Sequence, residues 1–262
     1  MIFDTHAHYD APQFDPDRDE LLSSLPSKGV GLVLDPGCDE ASSKMAVDLA
    51  GRFPFLYAAV GWHPEDWESW SSSSMGVLRD LVRREKVAAI GEIGLDYYWD
   101  SDHKALQKEM FERQINLALK EDLPVIVHDR EAHGDALEMV SRYEGLRGVF
   151  HCFSGSAEMA AELVRRGWYL GFDGPVTYKN NKKAAQVLAV TPPDRILVET
   201  DSPYMAPHPV RGRRNDSGNL TWVIEKIAEI KGMTAAEAER LTWENGCRLF
   251  RIDPDTQKEE KT

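Results

Sequence analysis

Short apolar segments recur along the chain and alternate with longer amphipathic segments. Several of the short segments are near-continuous in Val, Ile, Leu and Phe, which is typical of parallel strands buried on both faces. The predicted strands are residues 2–5, 30–35, 56–61, 87–93, 124–128, 148–153, 168–172 and 196–201. Apolar residues at helical spacing predict helices over residues 105–120, 157–166 and 220–231.

Eight strands alternating with helices in 262 residues predict an α/β fold, a (β/α)8 TIM barrel. A doubly wound sheet fits the alternation almost as well, but no GxGxxG motif follows an early strand, which leaves the dinucleotide-binding version without support. The chain has no obvious linker, so we expect a single domain over residues 1–252. The segment 68–74 is expected to be a loop, and residues 253–262 a polar, disordered tail.

Charge and cysteine content narrow the classes of function. The chain has 31 Lys and Arg against 44 Asp and Glu, a formal net charge of −13. Such a chain cannot coat DNA or an anionic membrane by charge neutralisation, so any nucleic-acid contact must be local and assisted by bound cations. Three widely spaced cysteines predict neither a zinc knuckle nor a disulfide framework. Without a signal-peptide pattern or a long apolar run, we expect a cytoplasmic protein with no membrane partner.

Polar side chains stand at the carboxyl ends of six predicted strands. In a barrel these ends form the rim that carries the active site. Side chains alternate along a strand, so the two histidines of a His-x-His sequence point to the same side and can share a metal ion. The residues concerned are His6, His8, His63, Glu92, His128, His151 and Asp201.

Imidazoles and carboxylates together suit divalent ions such as Zn, Mn or Mg. Even four of these five histidines with the two carboxylates are too many for one tetrahedral ion, and they suit two ions bridged by a carboxylate or a water. Such pairs of ions act in hydrolysis. Asp4 and Glu199 have the strand parity of the rim residues, and they either orient the histidines or anchor loops and ion pairs.

Five motifs, in this order and spacing, resemble the TatD family of metal-dependent deoxyribonucleases: FDTHAHYD, GEIGLDYYW, PVIVHDREA, HCFSG and LVETDSPYMAP. The resemblance covers about residues 2–250 and implies a (β/α)8 barrel of the amidohydrolase-like group. It implies that His6, His8 and Glu92 hold one metal ion and that Glu92, His128 and His151 hold a second. It further implies that Asp201 binds metal or acts as the general base, so that Asp201 and Glu92 are the catalytic residues.

The resemblance also implies a 3′–5′ exonuclease that acts on DNA ends, which we expect to be single-stranded, and we expect the protein to be a monomer. His63, Lys179 and Arg211 are our candidates for contacts with substrate phosphate, because the loops after strands seven and eight frequently bind phosphate in barrels. Tyr97 and Trp99 are candidates for stacking on a base.

The chain departs from the family in the loop after strand eight. The family has approximately Arg-Gly-Lys-x-Asn-x-Pro there, whereas this chain has Ser217 at the position of the proline.

Two other functions stay open. The same ions could hydrolyse a carboxylic ester or amide, such as a D-aminoacyl-tRNA. A non-catalytic metal-binding protein would be expected to have lost one of the six metal-binding residues, and all six are present in this chain.

Overall fold

Eight parallel strands follow one another around a nearly closed barrel in the computed structural model, which describes residues 1–253. All eight lie where the sequence predicts them, and the TIM barrel prediction is confirmed. The strands are β1 (Ile2–Asp4), β2 (Val30–Pro36), β3 (Leu56–Val60), β4 (Val87–Asp96), β5 (Val125–Arg130), β6 (Gly148–Phe150), β7 (Tyr169–Phe172) and β8 (Ile196–Val198).

Strand lengths differ from the predictions in a way that matters at the rim. β4 continues three residues beyond its predicted end, because Leu95 and Asp96 pair with Asp129 and Arg130 of β5. β6 and β8 instead end three residues early, so His151 and Asp201 lie in the segments that follow these two strands.

Backbone hydrogen bonds between the segments that follow β1 and β8 close the barrel. Thr5 N donates to Val198 O at 3.1 Å, Asp201 N donates to His6 O at 2.9 Å, and His8 N donates to Ser202 O at 2.8 Å. This seam therefore fixes His6, His8 and Asp201 relative to one another.

Nine α-helices are present in the described part of the chain, and those after β2 to β7 flank the barrel. They are α1 (Arg18–Ser24), α2 (Glu40–Arg52), α3 (Ser74–Leu81), α4 (Lys104–Lys120), α5 (His133–Ser141), α6 (Ala157–Arg165), α7 (Lys182–Val190), α8 (Leu220–Lys231) and α9 (Ala235–Phe250). The predicted loop over residues 68–74 contains the end of a 3-10 helix, Pro64–Ser69, and the start of α3.

None of the helices described here is long and apolar enough to cross a membrane. Apart from Asp253, the predicted tail lies outside the described residues.

The inside of the barrel is filled with apolar side chains, including Phe3, Leu34, Ile126 and Leu197. Helix α9 covers the amino-terminal end of this core, where Phe250 lies 5.9 Å from Phe3 between ring centroids. Because one end of the barrel is covered, the polar residues at the other end form the accessible face of the core.

Asp4 connects the seam to the loop after β8. Its carboxylate is fully buried and accepts hydrogen bonds from Thr200 N at 3.0 Å, Thr200 Oγ1 at 2.6 Å and Ser217 Oγ at 2.6 Å. Asp4 contacts His6 only at the backbone N–H of His6, which donates to Asp4 Oδ1 at 3.3 Å. Of the two interpretations of Asp4, the structure supports the loop anchor. Ser217 also donates its backbone N–H to Tyr9 Oη at 2.9 Å, which a proline at this position could not do.

We expect Asp4→Ala to lower the free energy of unfolding by about 3 kcal/mol or more, because several buried donors lose their shared acceptor together. Urea denaturation followed by circular dichroism measures the change. Asp80→Ala, at an exposed position on α3, should change stability by less than about 0.5 kcal/mol. Equal stability of the two variants would contradict the anchoring role of Asp4.

Candidate metal centre

Glu92 lies at the centre of the polar rim and is 3% exposed. It points each carboxylate oxygen at a different pair of histidines. Oε2 lies 3.2 Å from His6 Nε2 and 3.5 Å from His8 Nε2. Oε1 lies 2.8 Å from His128 Nδ1 and 2.7 Å from His151 Nε2. One carboxylate therefore joins two separate groups of potential metal ligands.

Asp201 completes the first group. Its Oδ1 lies 3.7 Å from His6 Nε2 and 3.5 Å from His8 Nε2, and these two nitrogens are 3.1 Å apart. Ligands around a tetrahedral ion with bonds of about 2.1 Å stand about 3.4 Å apart, which matches these separations. The structure thus brings together all six residues that the sequence proposes as ligands, and the residues fit a metal centre. Their role as ligands stays a prediction.

The charge of Glu92 is held by its histidine neighbours. Burial alone would raise the pKa of Glu92, but the positive charge of His151 and the hydrogen bond from His128 outweigh burial and keep this pKa well below its usual value. Burial likewise opposes ionisation of Asp201, yet the hydrogen bond to His8 and the nearby His151 lower its pKa. Both carboxylates are therefore anionic at neutral pH and available to a cation.

Two further carboxylates contact the outer sides of the histidines. Asp96 Oδ2 lies 3.0 Å from His128 Nε2, which directs the opposite nitrogen at Glu92. Its Oδ1 accepts the backbone N–H groups of Tyr98 and Trp99, both at 2.9 Å. Asp96 was not predicted as a site residue, although it has the same strand parity as Glu92, because the predicted strand stops at residue 93.

Glu199 stands behind two stacked histidine rings. The rings of His6 and His151 lie 4.0 Å apart between centroids, at an angle of 9°. Glu199 Oε1 is 3.6 Å from His151 Nδ1, and ligand atoms of all three residues lie within 4.8 Å of one another. At 3.6 Å this contact is not a hydrogen bond, whereas Glu199 Oε1 accepts the backbone N–H of Cys152. The structure therefore shows Glu199 as a loop anchor, and its orienting role stays a prediction.

His63 occupies the edge of the centre, with Nε2 3.6 Å from Glu92 Oε1. Its Nδ1 accepts the backbone N–H of Glu65 at 3.2 Å, which leaves the ring proton on Nε2. Burial, together with the neighbouring His128, lowers the pKa of His63 to about 3. His63 is therefore a neutral imidazole whose Nε2–H donor faces the centre.

The loops around the rim carry the cationic candidates. Lys183 and Arg130 line a cavity that opens beside His128, His151 and Asp201. Lys179 is exposed and does not line this cavity. Arg211 lies in a neighbouring surface cavity, its guanidinium carbon 4.4 Å from the ring centroid of Tyr178. The roles of Lys179 and Arg211 stay predictions. Lys183 belongs to the same basic segment after β7 as Lys179, but neither Lys183 nor Arg130 was predicted to contact phosphate.

The two aromatic candidates differ in their surroundings. Tyr97 is partly buried and donates its hydroxyl to Asp135 at 2.6 Å. Trp99 is 63% exposed, and the guanidinium of Arg130 lies 5.4 Å from its ring centroid. Of the two, Trp99 presents a free ring surface to the solvent.

A parallel barrel that gathers histidines and carboxylates at its carboxyl rim defines the class of metal-dependent barrel hydrolases. The chain matches the family described as TatD related DNase over residues 3–251 and belongs to it, as the motifs predict. It is 43% identical to the uncharacterized metal-dependent hydrolase YabD of Bacillus subtilis, over 97% of this chain and 100% of YabD.

A second relative is the 3′-5′ ssDNA/RNA exonuclease TatD of Cronobacter sakazakii. It is 35% identical, over 95% of this chain and 97% of its own length. The crystal structure of YjjV, a TatD homolog from Escherichia coli K12, superposes with a TM-score of 0.91 at 32% identity, covering 96% of this chain and 98% of YjjV. The protein is therefore a metal-dependent hydrolase of the TatD family.

We expect Asp96→Asn to weaken metal binding about 10- to 100-fold, because the amide can still accept the backbone N–H groups but its nitrogen cannot accept the proton of His128 Nε2. Chelator competition followed by metal analysis measures the change. Asp100→Asn is the matched control, since Asp100 bonds to His103 and Asp102, away from Glu92. Unchanged metal retention in Asp96→Asn would show that Asp96 does not position His128.

Proposed function

We propose that the protein is a 3′–5′ exonuclease that cleaves phosphodiester bonds at the ends of single-stranded DNA with two divalent ions, Mg, Mn or Zn. The observation that carries the proposal is the orientation of Glu92, whose two oxygens face two separate ligand groups. A single-ion centre would not need a carboxylate shared in this way. The name of the Cronobacter relative, an exonuclease that acts on single-stranded DNA and RNA, supports the polarity and the kind of substrate.

Two bound ions would lower the pKa of a water molecule and neutralise charge on the phosphoryl group. Asp201 is the side chain best placed to take the proton from that water. Its carboxylate is anionic and only partly buried, and its Oδ1 lies within 3.7 Å of His6 and His8. The backbone N–H that Asp201 donates to His6 O holds it in this position. Asp201 thus combines access to substrate with a fixed direction, which a general base requires.

His63 supplies a hydrogen bond to a phosphate oxygen. Since its Nδ1 is an acceptor for Glu65 N–H, the Nε2–H can point only toward the centre. A neutral donor keeps its proton during the reaction and stabilises charge that develops on oxygen. Arg211 and Lys179, both exposed, would contact phosphates further along the strand. The ring of Tyr178 supports the guanidinium of Arg211.

We expect metal-stripped protein to leave 5′-labelled single-stranded DNA intact and to shorten it after addition of Mg, Mn or Zn. Asp201→Asn should reduce the rate about 10²- to 10⁴-fold, because the proton acceptor is lost. Denaturing gel electrophoresis measures shortening. Asp102→Asn, an exposed change after β4, should keep the wild-type rate. Equal rates in Asp201→Asn and wild type would contradict the role of Asp201. No cleavage by protein that holds two ions would favour the hydrolysis of an acyl ester such as D-aminoacyl-tRNA.

We expect His63→Ala to lower kcat about 10²- to 10³-fold with little change in metal content, because His63 donates to substrate and is not a ligand. Steady-state rates and metal analysis on the same sample separate the two roles. His103→Ala is the control, since His103 lies against Trp67 outside the centre. Loss of metal from His63→Ala would instead identify His63 as a ligand.

A further inference from the structure

A cavity of about 380 Å³ opens directly beside the metal centre. His128, His151 and Asp201 form its inner side, so the cavity and the centre are continuous. Helix α7 forms the far side with Ala184 and Val187. Pockets for small ligands occupy about 300–1,000 Å³, which places this cavity in the range for one small molecule.

The walls of the cavity are apolar with a few polar groups. Phe153 and Val176 contribute apolar surface together with Met205. Asp173 contributes a carboxyl group that is only 4% exposed and that accepts a hydrogen bond from the Cys152 thiol at 3.1 Å. An aromatic wall with one buried polar group suits a flat, uncharged ring that has hydrogen-bonding groups at its edge.

A cation spans the edge of the cavity. Lys183 Nζ donates to Ser154 O at 2.5 Å and thereby links α7 to the loop after β6. An ammonium group has three donors, so two remain for a ligand. Arg130 lies in the same lining, with its guanidinium carbon 4.2 Å from the ring centroid of Tyr98. Asp129 and Glu131 also line the cavity, so the negative end of a ligand belongs at the metal centre and not along this edge. The ligand that fits has an uncharged ring for the apolar wall and a negative group for the metal centre, which describes a nucleotide.

We propose that this cavity binds the single terminal nucleoside of the DNA strand, with its base against Phe153 and its 5′-phosphate at the metal centre. The inference rests on the proposed function and adds to it the residues that select the strand end. Because α7 closes the far side, the volume holds one nucleoside and excludes a second. The limit on depth explains why cleavage would release mononucleotides and not longer fragments.

The chemistry is consistent with this placement. The oxygen of a water forms a bond to phosphorus, and the bond between phosphorus and O3′ of the preceding nucleotide breaks. Asp201 takes one proton from the water, and the departing O3′ gains a proton from solvent. The phosphate remains on the terminal nucleoside, so the product is a 5′-mononucleotide that fills the cavity and the centre together.

The test fills the cavity with a large side chain. Ala184 lines the cavity, whereas the adjacent Ala185 on the same helix is exposed and does not. Ala184→Trp and Ala185→Trp are therefore a matched pair. Calorimetry on metal-loaded protein compares thymidine 5′-monophosphate with inorganic phosphate. Wild type and Ala185→Trp should bind the nucleotide at least about tenfold more tightly than phosphate, because only the nucleotide has a ring to bury. Ala184→Trp should bind the two equally.

Activity provides the second measurement. Ala184→Trp should release mononucleotides from single-stranded DNA about 100-fold more slowly, since a misplaced strand end loses its alignment. Its metal content and its affinity for inorganic phosphate, which has no ring, should stay within about twofold of wild type. If Ala184→Trp does not fold, Phe153→Ala replaces it and should weaken nucleotide binding about tenfold while leaving phosphate binding unchanged.

Two outcomes would overturn the proposal. Either wild type binds nucleotide and phosphate equally, or folded Ala184→Trp keeps the wild-type preference. Failure of the nuclease is distinct from both. Suppose that wild type binds the nucleotide more tightly than phosphate, that Ala184→Trp abolishes this preference, and that wild type still does not cleave DNA. In that case the nucleoside site stands and the exonuclease proposal fails.

Discussion

A single buried carboxylate, that of Glu92, sets the geometry of the rim. Removing an ion from water costs several kcal/mol, so Glu92 can lie at 3% exposure only because histidines surround it. Those histidines come from the chain after β1, from β5 and from the segment after β6. The strand register places each imidazole against the Glu92 carboxylate. The negative charge of Glu92 in turn depends on that placement, because it needs the imidazoles as partners. The complete set of candidate ligand atoms therefore comes together only in the closed barrel.

Closure itself depends on polar contacts, because β1 and β8 are only three residues long. The backbone hydrogen bonds across the seam and the buried Asp4 carboxylate hold this part of the barrel together. Further carboxylates lie behind the imidazoles: Asp96 contacts His128 Nε2, and Glu199 accepts the backbone N–H of Cys152, next to His151. The polar centre is thus built in shells, each fixed by the one outside it. Because buried side chains hold these residues from behind, the candidate ligand atoms stay about 3 to 4 Å apart.

The strands and the six candidate ligands could be predicted from the sequence because both depend on local pattern. Apolar runs identify the strands, and the polar residue that follows each run identifies the rim. Asp96 was missed because the end of β4 depends on pairing with Arg130 of β5, a contact that the sequence of β4 does not contain. The choice between the two interpretations of Asp4 depended on Ser217, 213 residues away. The sequence could not show whether Lys179 or Lys183 reaches the rim, because the path of the chain before α7 decides which of them lines the cavity.

The loop between Pro203 and Asn215 is closed at its base. Asn215 N donates to Pro203 O at 3.0 Å, and the Asn215 side chain donates to Thr200 O at 3.0 Å. Ser217, immediately beyond, is fastened to Asp4. Insertions or exchanges at the tip, which includes Arg211, therefore leave the attachment points in place, and doubling the length of a flexible loop costs only about 0.6 kcal/mol. The sequence of the loop tip can therefore change without disturbing the attachment points or the ligand groups beneath them.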